Sequence, residues 1–236
     1  MYVGILNARK QEQFTLKKII TKDLRATTSK KRCRFKSTIL NNVFVNISTR
    51  GIYLADGSNT EITENTFTNT GNRGIYLGTG NNSIITGNNL TGIGDHGIYL
   101  GGGTGTNVLD NNLTTVGGGG DYGIYLNSGS GAEVLGNSLV SISGNGIYIN
   151  SNADNGVISN NTLTSITSSS SGIYVGSDSD SLSVNNNVME NITGYGIYFY
   201  SGNSMSQAIS LGDNISVDSS SSESWRLLLY LFSSRN

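Results

Sequence analysis

Seven segments of the chain begin Gly–Ile–Tyr, at Gly51, Gly74, Gly97, Gly123, Gly146, Gly172 and Gly196. The residues just before them carry most of the reactive chemistry: Arg50, Arg73, His96, Tyr122, Asn145, Ser171 and Tyr195. Asp95 and Asp121 stand one position earlier in two consecutive segments. The only histidine of the chain therefore sits beside an aspartate, between an arginine and a tyrosine in the series. A His–Asp pair supports general acid–base catalysis. An arginine can neutralise the carboxylate of an acidic sugar. Two carboxylates at equivalent positions push each other's pKa apart, which glycosidases use to separate acid from base. Arg73, Asp95, His96, Asp121 and Tyr122 are the candidate catalytic set; the plainer alternative is a histidine solvated in a polar turn.

The tyrosines of the segments form a second set. In a strand, Ile and the fourth residue face one way and Tyr the other. With the aliphatics inward, Tyr53, Tyr76, Tyr99, Tyr125, Tyr148, Tyr174 and Tyr198 make an outward column whose rings can stack. Such a strip can bind sugar rings or a partner surface, or simply stabilise its own sheet. Asp154, Asp178 and Asp180 fall in the turns after two later segments. Carboxylates in a Gly/Ser/Asn turn bind calcium through oxygen, so these three are the candidate metal ligands and calcium is the candidate ion. One His and three scattered Met do not make a copper site. A single cysteine, Cys33, excludes an internal disulfide.

The positioning elements are legible from the spacing. Successive Gly–Ile–Tyr glycines lie 23, 23, 26, 23, 26 and 24 residues apart. In register with them recur Asn42, Asn65, Asn88, Asn111, Asn137, Asn161 and Asn187. Three residues before each is an aliphatic, Ile39 to Val184, and two after each is Phe44, Phe67, Leu90, Leu113, Leu139, Leu163 or Met189. A period of this length marks a solenoid. Each unit alternates as short strands separated by Gly, Asn and Ser, with no helical period. Stacked coils bring equivalent residues to about 4.8 Å, where buried asparagines form a hydrogen-bonded ladder. The glycine before each Ile–Tyr is expected to supply a positive φ. Insertions such as TTVGGGGDY and SITSSSS must bulge outward.

These repeats resemble the right-handed parallel β-helices of the pectin-lyase-like superfamily, which includes pectate lyases, polygalacturonases and alginate epimerases. The resemblance covers about residues 38–217 and implies an all-β solenoid of about seven to eight coils, with capped ends. It implies that Gly–Ile–Tyr opens the first strand of each coil, beside which the enzymes place their cleft. "DHGIYLG" is similar to the His–Gly–Ile stretch of polygalacturonases, and the Asp–His pair to alginate epimerases. The aspartate motifs of the former are absent, and the latter have a proline that this chain lacks. Extracellular or cell-surface location is a further implication, although no N-terminal signal peptide is legible.

Composition narrows the partners. Residues 1–37 contain 11 Lys and Arg against Glu12 and Asp23, a charge of +9, whereas residues 38–223 contain 14 acids against Arg50 and Arg73, a charge of −12. A body so charged lacks the basic stripe that nucleic acid requires. No apolar run reaches transmembrane length. Residues 1–37 are expected to be a basic cap or degenerate coils, with EQFTLKKIITKDLRA able to form a capping helix. Residues 218–236 are expected to be a Ser-rich linker and apolar cap. The expected function is interaction with a polysaccharide or cell-surface glycan, extending to chemistry on a uronic-acid polymer. The alternative is a non-catalytic structural or adhesive solenoid.

Overall fold

A computed structural model describes residues 37–118, 120–177, 179 and 181–200, together with strands at 4–6, 15–17, 20–21, 24–26, 210–211 and 215–217. Three long parallel sheets wind around one core. The first contains seven strands, from Ile52–Leu54 through Ile98–Leu100 and Ile124–Ser128 to Ile197–Phe199. The second and third contain nine strands each, running from Thr15–Lys17 to Ser210–Leu211 and from Ile20–Thr21 to Ile215–Val217. Every pairing joins equivalent residues of adjacent coils, as in Tyr76 with Tyr99 and Leu90 with Leu113. The chain is a parallel β-helix of about seven turns, and no helix occurs among the described residues.

The stretch expected to allow a capping helix instead carries short strands at Thr15–Lys17, Ile20–Thr21 and Leu24–Ala26, the first two continuing the second and third sheets. Leu24–Ala26 pairs with Gly4–Leu6 and lies against Ile52–Leu54. Residues 218–236 lie outside the described residues.

Alternation builds the core. Ile39, Ile62, Ile85, Val108, Val134, Ile158 and Val184 are fully enclosed, as is the column from Phe44 to Met189. The third-sheet strands depart from simple alternation: in Thr66–Thr70, both Phe67 and Thr70 point inward although they are three residues apart. Asn69 between them has φ of 56°, and the same left-handed kink recurs at Asn46, Gly92, Thr115, Ser141, Ser165 and Asn191. One left-handed residue per strand resets the pleat, so that each strand presents two core residues. Thr70 is the outlier of this inner column, with its hydroxyl buried and unpartnered between Ile47 and Ile93.

The asparagine ladder runs at the corner between the second and third sheets. Asn88 Nδ2 donates to Asn111 Oδ1 at 2.9 Å, and Asn111 Nδ2 to Asn137 Oδ1 at 3.0 Å. From Asn65 to Asn187, each Oδ1 also accepts the backbone N–H of the preceding asparagine, as Asn111 does from Asn88 at 3.0 Å. The residue before each ladder asparagine turns the corner in the left-handed region, at Asn41, Glu64, Gly87, Asp110, Gly136, Asn160 and Asn186.

The Gly–Ile–Tyr glycines correct an expectation, because none of the seven has a positive φ. Space excludes a side chain instead. A Cβ on Gly97 would lie 2.4 Å from Leu113 Cδ2 and 2.6 Å from the Gly123 carbonyl oxygen. Its equivalents Gly51, Gly74, Gly123, Gly146 and Gly172 meet the same two obstacles, the next coil's carbonyl and a core side chain.

Candidate functional site

The first sheet presents its tyrosines outward, half-buried and stacked. From Tyr53 to Tyr198, neighbouring ring centroids are 4.5 to 5.5 Å apart, with interplanar angles of 7° to 24°. The register of the parallel sheet sets this spacing. Each interior ring has a neighbour on both faces, so a ligand approaching from solvent meets ring edges and hydroxyls. That differs from a flat strip with open faces, because stacking turns the ring planes across the solenoid axis.

Five of the residues before the glycines, Arg50, Arg73, His96, Tyr122 and Tyr195, pack against this column. The Arg50 guanidinium carbon lies 4.8 and 5.0 Å from the Tyr53 and Tyr76 centroids, and that of Arg73 lies 3.9 Å from Tyr99. His96 stacks on Tyr99, Tyr122 and Tyr125, and Tyr122 continues onto Tyr148 at 4.4 Å. Cations over ring faces are favourable here, and this aromatic contact holds both arginines against the column.

The turn brings Arg73, Asp95, His96, Asp121 and Tyr122 together across three coils. Arg73 Nε lies 3.4 Å from Asp95 Oδ2, as an ion-pair contact with no aligned hydrogen bond from that nitrogen. His96 Nδ1 lies 3.1 Å from Asp95 Oδ1 and 3.9 Å from Asp121 Oδ1. The Tyr122 backbone N–H donates to the same Nδ1 at 3.0 Å, which puts the ring proton of the neutral imidazole on Nε2. Asp121 Oδ2 accepts from Gly118 N–H at 3.0 Å, tying the Gly-rich insertion to the turn. The His96 side chain is only 12% exposed. Burial lowers its pKa, the nearby Asp95 carboxylate opposes that shift, Arg73 adds to it and Asp121 again opposes it. His96 is thus a neutral base with Nδ1 engaged.

Burial also raises the pKa of four tyrosines, Tyr122, Tyr125, Tyr148 and Tyr174. Tyr125 is pushed up to about 12, first by burial and then by Tyr99, Tyr148 and Tyr122, and Tyr174 also reaches about 12 for similar reasons. The phenols of Tyr122 and Tyr148 are raised mainly by burial. These four phenols therefore stay protonated, as hydroxyl donors and acceptors, well above neutral pH.

Of the expected calcium ligands, Asp154 alone lies among the described residues. Asp154 lies in the turn after Ile147–Ser151, where its carbonyl accepts from Gly131 N–H at 2.7 Å. Asp178 and Asp180 lie outside the described residues. Two contributors were not among the candidate site residues: Arg50, and Asn127, whose Oδ1 accepts from Tyr125 Oη at 3.0 Å and whose Nδ2 donates to Gly101 O. Arg50 was detectable because it shares the column of Arg73 and His96. Asn127 was harder to see, because its column is repeated as asparagine only at Asn150, in the next coil, although the same five-residue strand recurs at Ile147–Ser151 and Ile173–Ser177.

Among the described residues, no helix is long and apolar enough to cross a membrane. No curated protein and no solved structure matches the chain. The family model for the right-handed β-helix region matches residues 28–180, more than half of the chain and most of the stacked coils. The chain belongs to the right-handed β-helix family.

Proposed function

We propose that the chain binds an extended polysaccharide along its tyrosine face, through phenolic hydroxyls, ring edges and guanidinium N–H groups. The supporting observation is a hydroxyl-bearing edge repeated once per coil, at ring spacings of 4.5 to 5.5 Å. An extended 1,4-linked pyranose chain advances by about one coil spacing per sugar, so successive sugars meet equivalent hydroxyls. The charge of −12 over residues 38–223 favours a neutral polymer over a polyuronate.

The turn around His96 suits anchoring better than turnover of a uronate. Arg73, which would hold the sugar carboxylate, already faces Asp95, and His96 is largely covered with Nδ1 engaged. One observation favours the purely structural reading: the rings stack on each other and stiffen the sheet whether or not a ligand binds.

The test separates hydroxyls from rings. Tyr76→Phe, Tyr99→Phe and Tyr125→Phe together keep the stack and remove three hydroxyls. The unmodified chain is expected to be retained on insoluble neutral glycans, and the triple variant to pass through with its β-rich circular dichroism intact. Equal retention of both would overturn the hydroxyl reading. Failure of the unmodified chain on a broad glycan panel would leave the structural solenoid.

A further inference from the structure

We propose that Asp95, His96 and Asp121 bind a divalent first-row transition-metal ion of the zinc class. The inference is independent of the glycan reading. It starts from the stacking of adjacent coils, which brings two Asp carboxylates and an imidazole from neighbouring turns to one point. One ligand atom from each residue lies within 4.8 Å of the other two. His96 Nδ1 is the shared vertex, 3.1 Å from Asp95 Oδ1 and 3.9 Å from Asp121 Oδ1.

These separations suit coordination. Metal–ligand bonds of about 2.1 Å put neighbouring ligand atoms roughly 3.0 Å apart in octahedral geometry and 3.4 Å in tetrahedral geometry. One side of the triangle already has that length. The His96–Asp121 side needs to shorten by about 0.5 to 0.9 Å, and the Asp95–Asp121 side, within 4.8 Å, by at most about 1.8 Å, which carboxylate torsions can supply because Asp95 and Asp121 are 20% and 24% exposed. The same exposure leaves room for water to complete the shell.

The contacts within the cluster point the same way. With Tyr122 N–H donating to Nδ1, the imidazole presents lone-pair density 3.1 Å from a carboxylate oxygen. Two acceptors at that distance are joined either by a proton shared between them or by a metal ion. Arg73 supplies positive charge only from the far side, against the other oxygen of Asp95. A metal ion would join the two acceptors directly, at the cost of the single bond from Tyr122. Two carboxylates with one imidazole form a donor set that favours zinc, cobalt or nickel over calcium, which prefers an all-oxygen shell of six to eight ligands.

The experiment titrates the full-length chain with Co²⁺ and Zn²⁺. Co²⁺ should give a visible d–d absorption that saturates at one ion per chain and is displaced by Zn²⁺. Zn²⁺ should raise the thermal midpoint, and Ca²⁺ should not compete at equal concentration. Asp121→Asn and His96→Gln should each weaken Co²⁺ binding by about tenfold or more. Asp121→Asn preserves shape, so it decides the matter if His96→Gln fails to fold. An absent Co²⁺ signal, a signal unchanged in Asp121→Asn, or displacement by Ca²⁺ would each overturn the proposal.

Discussion

Replacing Asn111 by leucine tests the ladder at its centre. The Asn111 side chain accepts from Asn88 N–H at 3.0 Å and Asn88 Nδ2 at 2.9 Å, and it donates to Ile85 O at 2.9 Å and Asn137 Oδ1 at 3.0 Å. Leucine removes all four contacts at similar volume. Some partners are left with alternatives: Asn88 Nδ2 still reaches Ile62 O at 2.9 Å and Thr86 O at 3.1 Å, and Asn137 Oδ1 still accepts Asn111 N–H at 3.0 Å. The Asn88 backbone N–H is left buried without a partner. One such orphan, with the donor lost at Ile85 O, amounts to about 1–3 kcal/mol of lost stability. In a solenoid the loss falls on one coil and its two interfaces. The assay is urea unfolding followed by far-ultraviolet circular dichroism, in which the midpoint should fall without a large change in slope. Asn111→Asp adds a check on direction. It keeps the acceptor toward Asn88 but sets an oxygen against Ile85 O and Asn137 Oδ1, so it should be worse than leucine. An unchanged midpoint for leucine, or a milder effect for aspartate, would refute the assigned ladder.

Four further outcomes follow from particular contacts. Thr70→Val should raise stability by about 1 kcal/mol in the same assay, because it removes a buried hydroxyl that has no partner. Gly97→Ala should cost about 1–3 kcal/mol, because the new methyl meets both a core leucine and a backbone carbonyl that cannot move independently. Alkaline titration should detect phenolate late: Tyr125 and Tyr174 sit at about 12 when folded, against about 10 unfolded, so their contribution to stability is whole below pH ~10 and is lost as pH rises toward 12. Phenolate absorbance complete by pH ~10 without unfolding would contradict that sign. Incubation with polygalacturonate and alginate, followed by ultraviolet absorbance, reducing-end assay and NMR, should give no product; activity that disappears in His96→Ala would restore the turn as a catalytic centre.

The coil architecture was readable because burial acts on columns. Ile39, Asn42 and Phe44 have equivalents in every coil, and each column is restricted to one kind of side chain by what lies 4.8 Å above and below it. Where the constraint is on backbone rather than side-chain type, the signal weakens. The left-handed kink takes four residue types across seven coils, as at Asn46, Gly92, Thr115 and Ser141, so it does not stand out as a motif. The Gly–Ile–Tyr glycine was visible but its cause was not: a positive φ and an obstructed Cβ both select glycine, and only the position of Leu113 and the Gly123 carbonyl distinguishes them. At the turn, the proximity of Asp95, His96 and Asp121 was legible from equivalent positions. The hydrogen bond from Tyr122 N–H to Nδ1 was not, since it depends on the rotamer of one imidazole.

The asparagine ladder also gives the solenoid a sense of direction. Every amide from Asn42 to Asn161 donates to the ladder oxygen of the following coil, and from Asn65 onward each ladder oxygen accepts from the preceding coil, while the second N–H is held by a backbone carbonyl of that preceding coil. The amide dipoles therefore add, with their positive ends toward the C-terminal coils, much as peptide dipoles add along an α-helix. A coil joined on the C-terminal side must offer an acceptor, and one joined on the N-terminal side must offer donors. Coils can be duplicated or deleted in register, but an inverted coil would set like poles together at the ladder.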